Sequence, residues 1–315
     1  MVRWPEVKKG GKHNVTVTGA TGHVGRGIAE RLLAWGDRVR AISRKAETLT
    51  SLTEKGAEAW PGDLLDTEFL TGAFRGADAV FAMIPPNPVA EDAREDQRKF
   101  AMSIADALGA AGIKHVVALS SVGGGLASGT GTIAGLHEFE ERLRQVPGLS
   151  ATILRPTYFM ENFLYAIPLI REAGINGGAI KGDVPIGMIA TRDIAEAGAE
   201  ILSDATLIGD SVLELLGPED LTFRQATSIL GTAIGMPDLQ YMEFPDADYR
   251  NALLAMGFSK SVANSYLEMN AAISDGTIQN TVTRNASSTT PTTLEDFARS
   301  VFAPAYKGTA AEAEA

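Results

Sequence analysis

Seven residues near the start of the chain, Gly19-Ala20-Thr21-Gly22-His23-Val24-Gly25, have types and spacing suited to holding a diphosphate. The first glycine lets the backbone turn sharply, the second leaves a bare flank for pyrophosphate to approach, and the third lets a following helix pack closely. The helix N-terminus then turns unpaired N–H groups and a partial positive charge toward the phosphates. Such a cradle needs a strand before it and a helix after it. Val15-Thr16-Val17-Thr18 supplies a β-branched run, and Ile28, Ala29, Leu32 and Leu33 give the next stretch an apolar helical face. Glycines also cluster by chance in a chain holding 33 of them, with a plain tight turn as the alternative. The flanking elements decide in favour of dinucleotide binding.

Which dinucleotide is bound turns on the end of the second strand. An NAD site places an acidic side chain there for the ribose hydroxyls, whereas the 2′-phosphate of NADP needs a cation. Ser43, Arg44 and Lys45 occupy the place, so NADP(H) is the expected cofactor. Arg44 can fork onto the phosphate, and Ser43 and Lys45 add donors; the alternative is that Arg44 and Lys45 only begin a solvated helix. Asp63, after a third strand, is placed to accept from the adenine amino group or to begin a helix. Ile84 and Pro85, in the proline-stiffened run Met83-Ile84-Pro85-Pro86-Asn87-Pro88, are expected to pass the cofactor phosphates and ribose.

The elements that must position these groups alternate through the first half. Strands are predicted at 14–18, 38–43, 57–60, 78–83, 115–119 and 150–154, and helices near 23–35, 46–54, 66–75, 91–111 and 133–146. Such alternation implies a parallel sheet with helices on both faces. After Arg155-Pro156 the rhythm breaks into turn-rich pieces and capped helices. Thr222 with Gln225 reads as a capping box, Thr293 with Asp296 resembles one, and Val262, Tyr266, Met269 and Ile273 form an apolar face after Ser259. The expected organisation is an N-terminal extension (1–13), a dinucleotide-binding domain (14–156) to which segments near 184–216 return, a C-terminal lobe (157–303) and a frayed tail (304–315).

Composition narrows the function classes. At 315 residues the chain can bury a sizeable core. It has no cysteine, which excludes disulfides, a thiol nucleophile and thiolate metal sites. Its formal charge of −11 disfavours direct nucleic-acid binding. No apolar run is long enough to cross a bilayer, and the polar, basic Met1–Lys12 is not a signal peptide. A cytoplasmic chain without membrane association is expected.

Taken in order, the glycine motif, Ile42-Ser43-Arg44, Gly62-Asp63, Leu119-Ser120-Ser121, Leu154-Arg155-Pro156 and Thr191-Arg192-Asp193-Ile194-Ala195 resemble the NmrA-like group of atypical short-chain dehydrogenases/reductases over roughly residues 14–303. That group also contains NADPH-dependent quinone reductases and dinucleotide-sensing regulators. The resemblance implies an α/β fold: a Rossmann-type doubly wound parallel sheet, NADP(H) at its strand ends, and a smaller α+β C-terminal lobe closing over the nicotinamide.

The chain departs from the wider superfamily in its catalytic residues. A reductase of that type uses a Tyr and a Lys four residues apart, helped by a Ser, to protonate a carbonyl. Ser121 stands where the Ser would be, with Ser120 beside it toward the nicotinamide. The segment Gly131 to Glu141 holds neither Tyr nor Lys, and the single active-site Lys of isoflavone-reductase-type relatives is absent too. His137 is the remaining proton-transfer candidate, with Glu138, Glu140 and Glu141 expected to favour its imidazolium; the alternative is a surface or nicotinamide-contacting histidine without a chemical role. His137 and Glu140 have a spacing that metal pairs use, but no other cluster accompanies them and no metal is expected. Tyr158, with Phe159, Met160 and Phe163, is expected to form an apolar wall or interlobe packing, with Tyr158 as a substitute acid. The implied activity is hydride transfer to an apolar electrophile, a quinone or an enone. The alternative is an NADP(H)-binding redox sensor that acts through a protein partner. The partner expected is a small-molecule acceptor, with a homodimer or a regulatory protein left open.

Overall fold

The computed structural model describes residues 13–204 and 209–308; Met1–Lys12 and the tail from residue 309 on lie outside the described residues. Along the first half run β1 (Asn14–Val17), α1 (His23–Trp35), β2 (Arg38–Ser43), α2 (Thr50–Thr53), β3 (Glu58–Pro61), α3 (Thr67–Phe74), β4 (Ala79–Ala82), α4 (Ala93–Ala111), β5 (His115–Leu119), α5 (Ile133–Arg144) and β6 (Ser150–Pro156). The second half adds β7 (Tyr158–Phe159), α6 (Ile167–Ala173), β8 (Ile175–Gly178), β9 (Ile186–Ile189), α7 (Thr191–Ser203), β10 (Ser211–Leu215), β11 (Asp220–Leu221) and α8 (Phe223–Ala233). It closes with β12 (Gln240–Glu243), α9 (Asp246–Ala255), α10 (Lys260–Ser274), α11 (Leu294–Phe297) and α12 (Ala303–Lys307). Residues 304–307, assigned to the tail by sequence, are therefore helical: α12 continues from the helical turn at Ala298–Phe302, and Gly308 closes it in the left-handed region.

Seven parallel strands form the central sheet in the order β10-β6-β5-β4-β1-β2-β3. This is the doubly wound Rossmann-type arrangement. Side-chain alternation divides its two faces: Val15, Val17, Phe81 and Val117 join α1 and α7 in one core, while Val80, Ala82, Val116, Ala118 and Ile153 meet α3, α4 and α5 in another. α1 and α7 approach closely through glycines. A Cβ on Gly27 would lie 2.7 Å from Ala195 Cβ, and one on Gly198 would lie 2.9 Å from Ile28 Cδ1.

A third core belongs to the second half, built from Met160, Phe163, Ile170, Met188, Phe223, Leu230, Phe297 and Phe302 among others. Here β9 pairs with β7 and β11, and β8 with β12. α8 opens with the complete Thr222–Gln225 capping box. Polar ties bind this lobe to the start of α7: Asp193 accepts from the backbone N and Oγ1 of Thr292 at 3.0 and 2.6 Å, and Glu161 accepts from Thr191 Oγ1 at 2.6 Å. No helix among the described residues is long and apolar enough to cross a membrane.

Candidate active site

In a sheet of this topology the crevice lies outside the C-terminal strand ends, where the strand order reverses between β1 and β4. The glycine turn sits there. Gly19 adopts φ +60°, and a Cβ on it would lie 2.8 Å from Met83 Sδ, so the turn abuts the loop leaving β4. Ala20 N donates to Ile42 O at 3.3 Å, which ties the same turn to the end of β2. Gly25 presses α1 against the turn, since its Cβ would fall 2.3 Å from Gly19 O. A Cβ on Gly22 would meet nothing nearer than Gly19 O at 3.6 Å, so its flank is open. Gly22 caps α1 without a side-chain bond, and no acidic residue lies in the first turn. An unblocked, positively polarised helix end beside a bare glycine flank fits a diphosphate. Thr21 and His23 lie on the outer side of this turn, while Val24 is buried beneath it.

Two residues beyond β1's neighbour β2, Arg44 and Lys45 are exposed, and neither makes an ion pair among the described residues. Lys45 caps the 3₁₀ turn Ala46–Leu49, and Ser43 Oγ lies 2.8 Å from Thr48 Oγ1. Asp63 does not begin a helix: its carboxylate takes Leu65 N at 2.9 Å in a local turn, and Asp66 caps α3 by accepting from Phe69 N. Ile84 is buried, and Pro85 half-buried, in the loop after β4.

The loops after β5 and β6 build the other half of the crevice. Ser120 N and Val122 N donate to Leu154 O and Pro156 O, so the two strand ends run on together. Ser121 Oγ donates to Val122 O at 3.0 Å. Ser120 is the more committed of the pair, since its hydroxyl is buried and donates to Glu140 Oε1 at 2.6 Å. Arg155 forks onto the same carboxylate, Nε to Oε1 at 2.9 Å and Nη2 to Oε2 at 2.6 Å, and Arg144 Nη2 reaches Oε2 at 3.0 Å. Glu140 is wholly buried. Four donors on one carboxylate compensate the burial of its charge.

His137 Nδ1 lies 2.9 Å from Gly124 O. A carbonyl only accepts, so Nδ1 carries the hydrogen, and Nε2 is the nitrogen that gains or loses a proton. The carboxylates expected to favour its imidazolium point elsewhere. Glu138 meets Arg98 at 3.0 Å, Glu141 meets Arg144 at 2.5 Å, and Glu140 is held as described. Glu138 is turned aside by its position on the helix, and Glu140 and Glu141, although one turn along, are taken up by arginines and Ser120 instead.

The aromatic wall is only partly present. Met160 and Phe163 are buried in the second core, whereas Tyr158 and Phe159 stay partly exposed. Tyr158 packs on Phe163 and Phe223, with ring centroids 5.5 and 5.1 Å apart. Desolvation by this packing, on a side chain that keeps part of its surface open, pushes the phenol above the ordinary tyrosine range. α10, read from sequence as core, also borders this region: Thr132 Oγ1 donates to Met269 Sδ at 3.4 Å, and a Cβ on Gly131 would overlap Ser265 O. Sequence reasoning missed Glu140 and Arg155 as a unit. The only local signal was a glutamate on the helix side that otherwise carries Ile133, Leu136 and Leu143.

The NmrA-like family model matches residues 11–298. A (4-alkanoyl-5-oxo-2,5-dihydrofuran-3-yl)methyl phosphate reductase of Streptomyces griseus is 34% identical over 254 residues, which cover 81% of this chain and 85% of that protein. Quinone oxidoreductase 2 of Escherichia coli is 28% identical over 264 residues, covering 83% of this chain and 88% of the relative. The solved structure of an NADPH-dependent quinone oxidoreductase from Escherichia coli, complexed with NADPH, matches with a TM-score of 0.73 at 24% identity. That match covers 91% of this chain and 99% of the other, and it speaks for the fold.

Proposed function

The chain belongs to the NmrA-like family, and from that premise we propose that it is an NADPH-dependent reductase acting on an apolar electrophile of quinone or enone type. The observation that carries this reading is the open Gly22 flank at the start of α1, which has no side-chain cap, with two exposed cations at the neighbouring strand end that make no ion pair among the described residues. NADPH, when bound, supplies the hydride.

The protein's own groups do the rest. Gly19, Thr21, Gly22, His23, Val24 and Gly25 receive the diphosphate, while Ser43, Arg44 and Lys45 take the 2′-phosphate through charge-assisted hydrogen bonds. Asp63 accepts from the adenine amino group, and Ile84 and Pro85 form a stiff edge beside the ribose. Ser120 and Ser121 line the nicotinamide side. With Nδ1–H fixed on Gly124 O, the His137 imidazolium delivers its Nε2 proton to the acceptor oxygen as hydride reaches the acceptor. The acceptor gains two electrons with the hydride and one proton from the ring, which is recharged from water. Tyr158 keeps its proton and serves as an apolar face with a hydrogen-bonding tip.

The deciding experiment measures NADPH oxidation against quinones, enones and aldehydes, with wild type and His137→Ala. Turnover is expected with the first two classes. The substitution should lower kcat by about a hundredfold or more for enones, whose enolate needs a proton, and by less for quinones. Tight NADPH binding with no turnover on any acceptor would refute the reductase and leave redox sensing as the function.

A further inference from the structure

We propose that the buried Glu140 carboxylate is a positioning residue that sets the tautomer and placement of His137 by way of Gly124; its catalytic consequence rests on the reductase reading above. Glu140 and His137 stand three residues apart on α5, and both reach the turn that follows β5. Gly124 lies between them. A Cβ on Gly124 would fall 2.5 Å from Glu140 Oε1 and 2.7 Å from Ser120 Oγ, so its Cα rests directly on the carboxylate and the hydroxyl bound to it. Its carbonyl, on the other side, receives His137 Nδ1–H at 2.9 Å. Its own N–H closes the turn on Ser121 O at 2.9 Å.

The carboxylate is held too firmly to yield. Arg155 approaches in the plane of the fork, Arg144 takes the second oxygen and Ser120 the first. Arg155 also comes within 3.4 Å of the Cβ position on Gly125, so the guanidinium that holds Glu140 also touches the residue after Gly124. A buried ion pair contributes little net stability, because desolvating both charges cancels most of their attraction, and apolar residues of the same volume would serve the fold as well. What apolar residues could not supply is a fixed height and direction for the Gly124 carbonyl. Which nitrogen of an imidazole carries the hydrogen follows from the bond made by the other nitrogen. Unconstrained, imidazole side chains favour Nε2–H; here the carbonyl enforces Nδ1–H and leaves Nε2 without a hydrogen in the neutral ring.

The test is long-range ¹H–¹⁵N NMR on the full chain labelled at histidine, at alkaline pH where imidazoles are neutral. The chain has four histidines, and His137→Gln assigns the relevant signal. The wild type should show Nδ1–H at His137. Glu140→Gln should move it to mainly Nε2–H, and Arg155→Lys should give a mixture. Should Glu140→Gln fail to fold, Gly124→Ala serves instead. Gly124 has no positive φ, so alanine is strained there only by its contacts, with Glu140 Oε1 at 2.5 Å and Ser120 Oγ at 2.7 Å ahead of Ser121 O at 2.9 Å, and the same tautomer change is expected. In turnover, Glu140→Gln should lower kcat about tenfold with the KM for NADPH changed less than twofold, and should add nothing in a His137→Ala background. Nδ1–H retained in both Glu140→Gln and Gly124→Ala overturns the proposal. A wild type with no turnover refutes the reductase but leaves the tautomer result to decide this inference alone.

Discussion

Replacing Gly25 with alanine would put a Cβ 2.3 Å from Gly19 O, 2.8 Å from Gly19 C and 3.1 Å from Thr18 O, all of them backbone atoms. Ordinary contact begins near 3.4 Å, so the start of α1 must retreat by 3.4 − 2.3 = 1.1 Å. It has little room to do so, because Gly27 already rests on Ala195 and Ile28 on Gly198. Overpacking of this kind costs about 1–3 kcal/mol. The retreat also pulls the helix N–H groups away from the diphosphate. Gly22→Ala separates the two effects. Its φ of −82° suits alanine and its nearest neighbour is 3.6 Å away, so the unliganded fold should hold within about 1 kcal/mol, a weaker cap being offset by a less flexible unfolded chain. The new methyl occupies the open flank that the proposed cradle gives to pyrophosphate, however. Loss of one charge-assisted bond, about 1.5–3 kcal/mol, is about a ten- to hundredfold weakening. Calorimetric melting and NADPH titration of both variants are the assay. Gly25→Ala should lose stability and affinity, and Gly22→Ala affinity alone. Wild-type NADPH affinity in Gly22→Ala would refute the cradle.

Two other perturbations test separate parts of the molecule. Arg44→Ala should weaken NADPH about ten- to hundredfold, the value of one forked phosphate pair, while NADH changes less than twofold; equal weakening of both, by fluorescence titration, would remove the assignment of the 2′-phosphate to this side chain. Glu200 on α7 has a buried Oε2 with no partner among the described residues, and burial first, then Glu196, pushes its carboxyl up to about 7. The folded state thus holds a proton that the unfolded chain releases near 4.5. Stability is therefore lost as pH rises from about 4.5 through 7 and is flat above. Allowing for solvent screening, the loss is about 1 kcal/mol. Denaturant unfolding of Glu200→Gln from pH 5 to pH 8 should show a smaller slope, and an unchanged slope would refute the assignment.

The first half of the fold was legible because its central strands are buried on both faces and read as short apolar or β-branched runs, such as Ala79–Ala82, between amphipathic helices. Caps were legible for the same local reason: Thr222 needs only Gln225, three residues away. β7 and β11 were not, since two-residue strands carry no period and exist only because β9 lies beside them. The wall failed similarly. Met160 and Phe163 have the composition of a substrate pocket, and only packing against the second core shows that they are fully used there.

The acid–base groups were the least legible, and the reason bears on the chemistry. Glu140 reads as one of several helix charges until β6 brings Arg155 to it from 15 residues away, and His137 acquires a fixed tautomer only because the β5 turn folds back over α5. With neither the Tyr nor the Lys of the usual relay in this segment, the proposed proton transfer falls to one imidazole nitrogen, beside a phenol raised by its packing. Such a site suits an acceptor whose reduced form tolerates negative charge briefly. Quinones and enones conjugated to a second carbonyl meet that condition, and simple aldehydes, whose alkoxide demands a proton at once, do not. The order of rates across these three classes is therefore itself a reading of how much acid catalysis the protein supplies: aldehyde reduction as fast as quinone reduction would mean that a proton donor other than His137 serves the crevice.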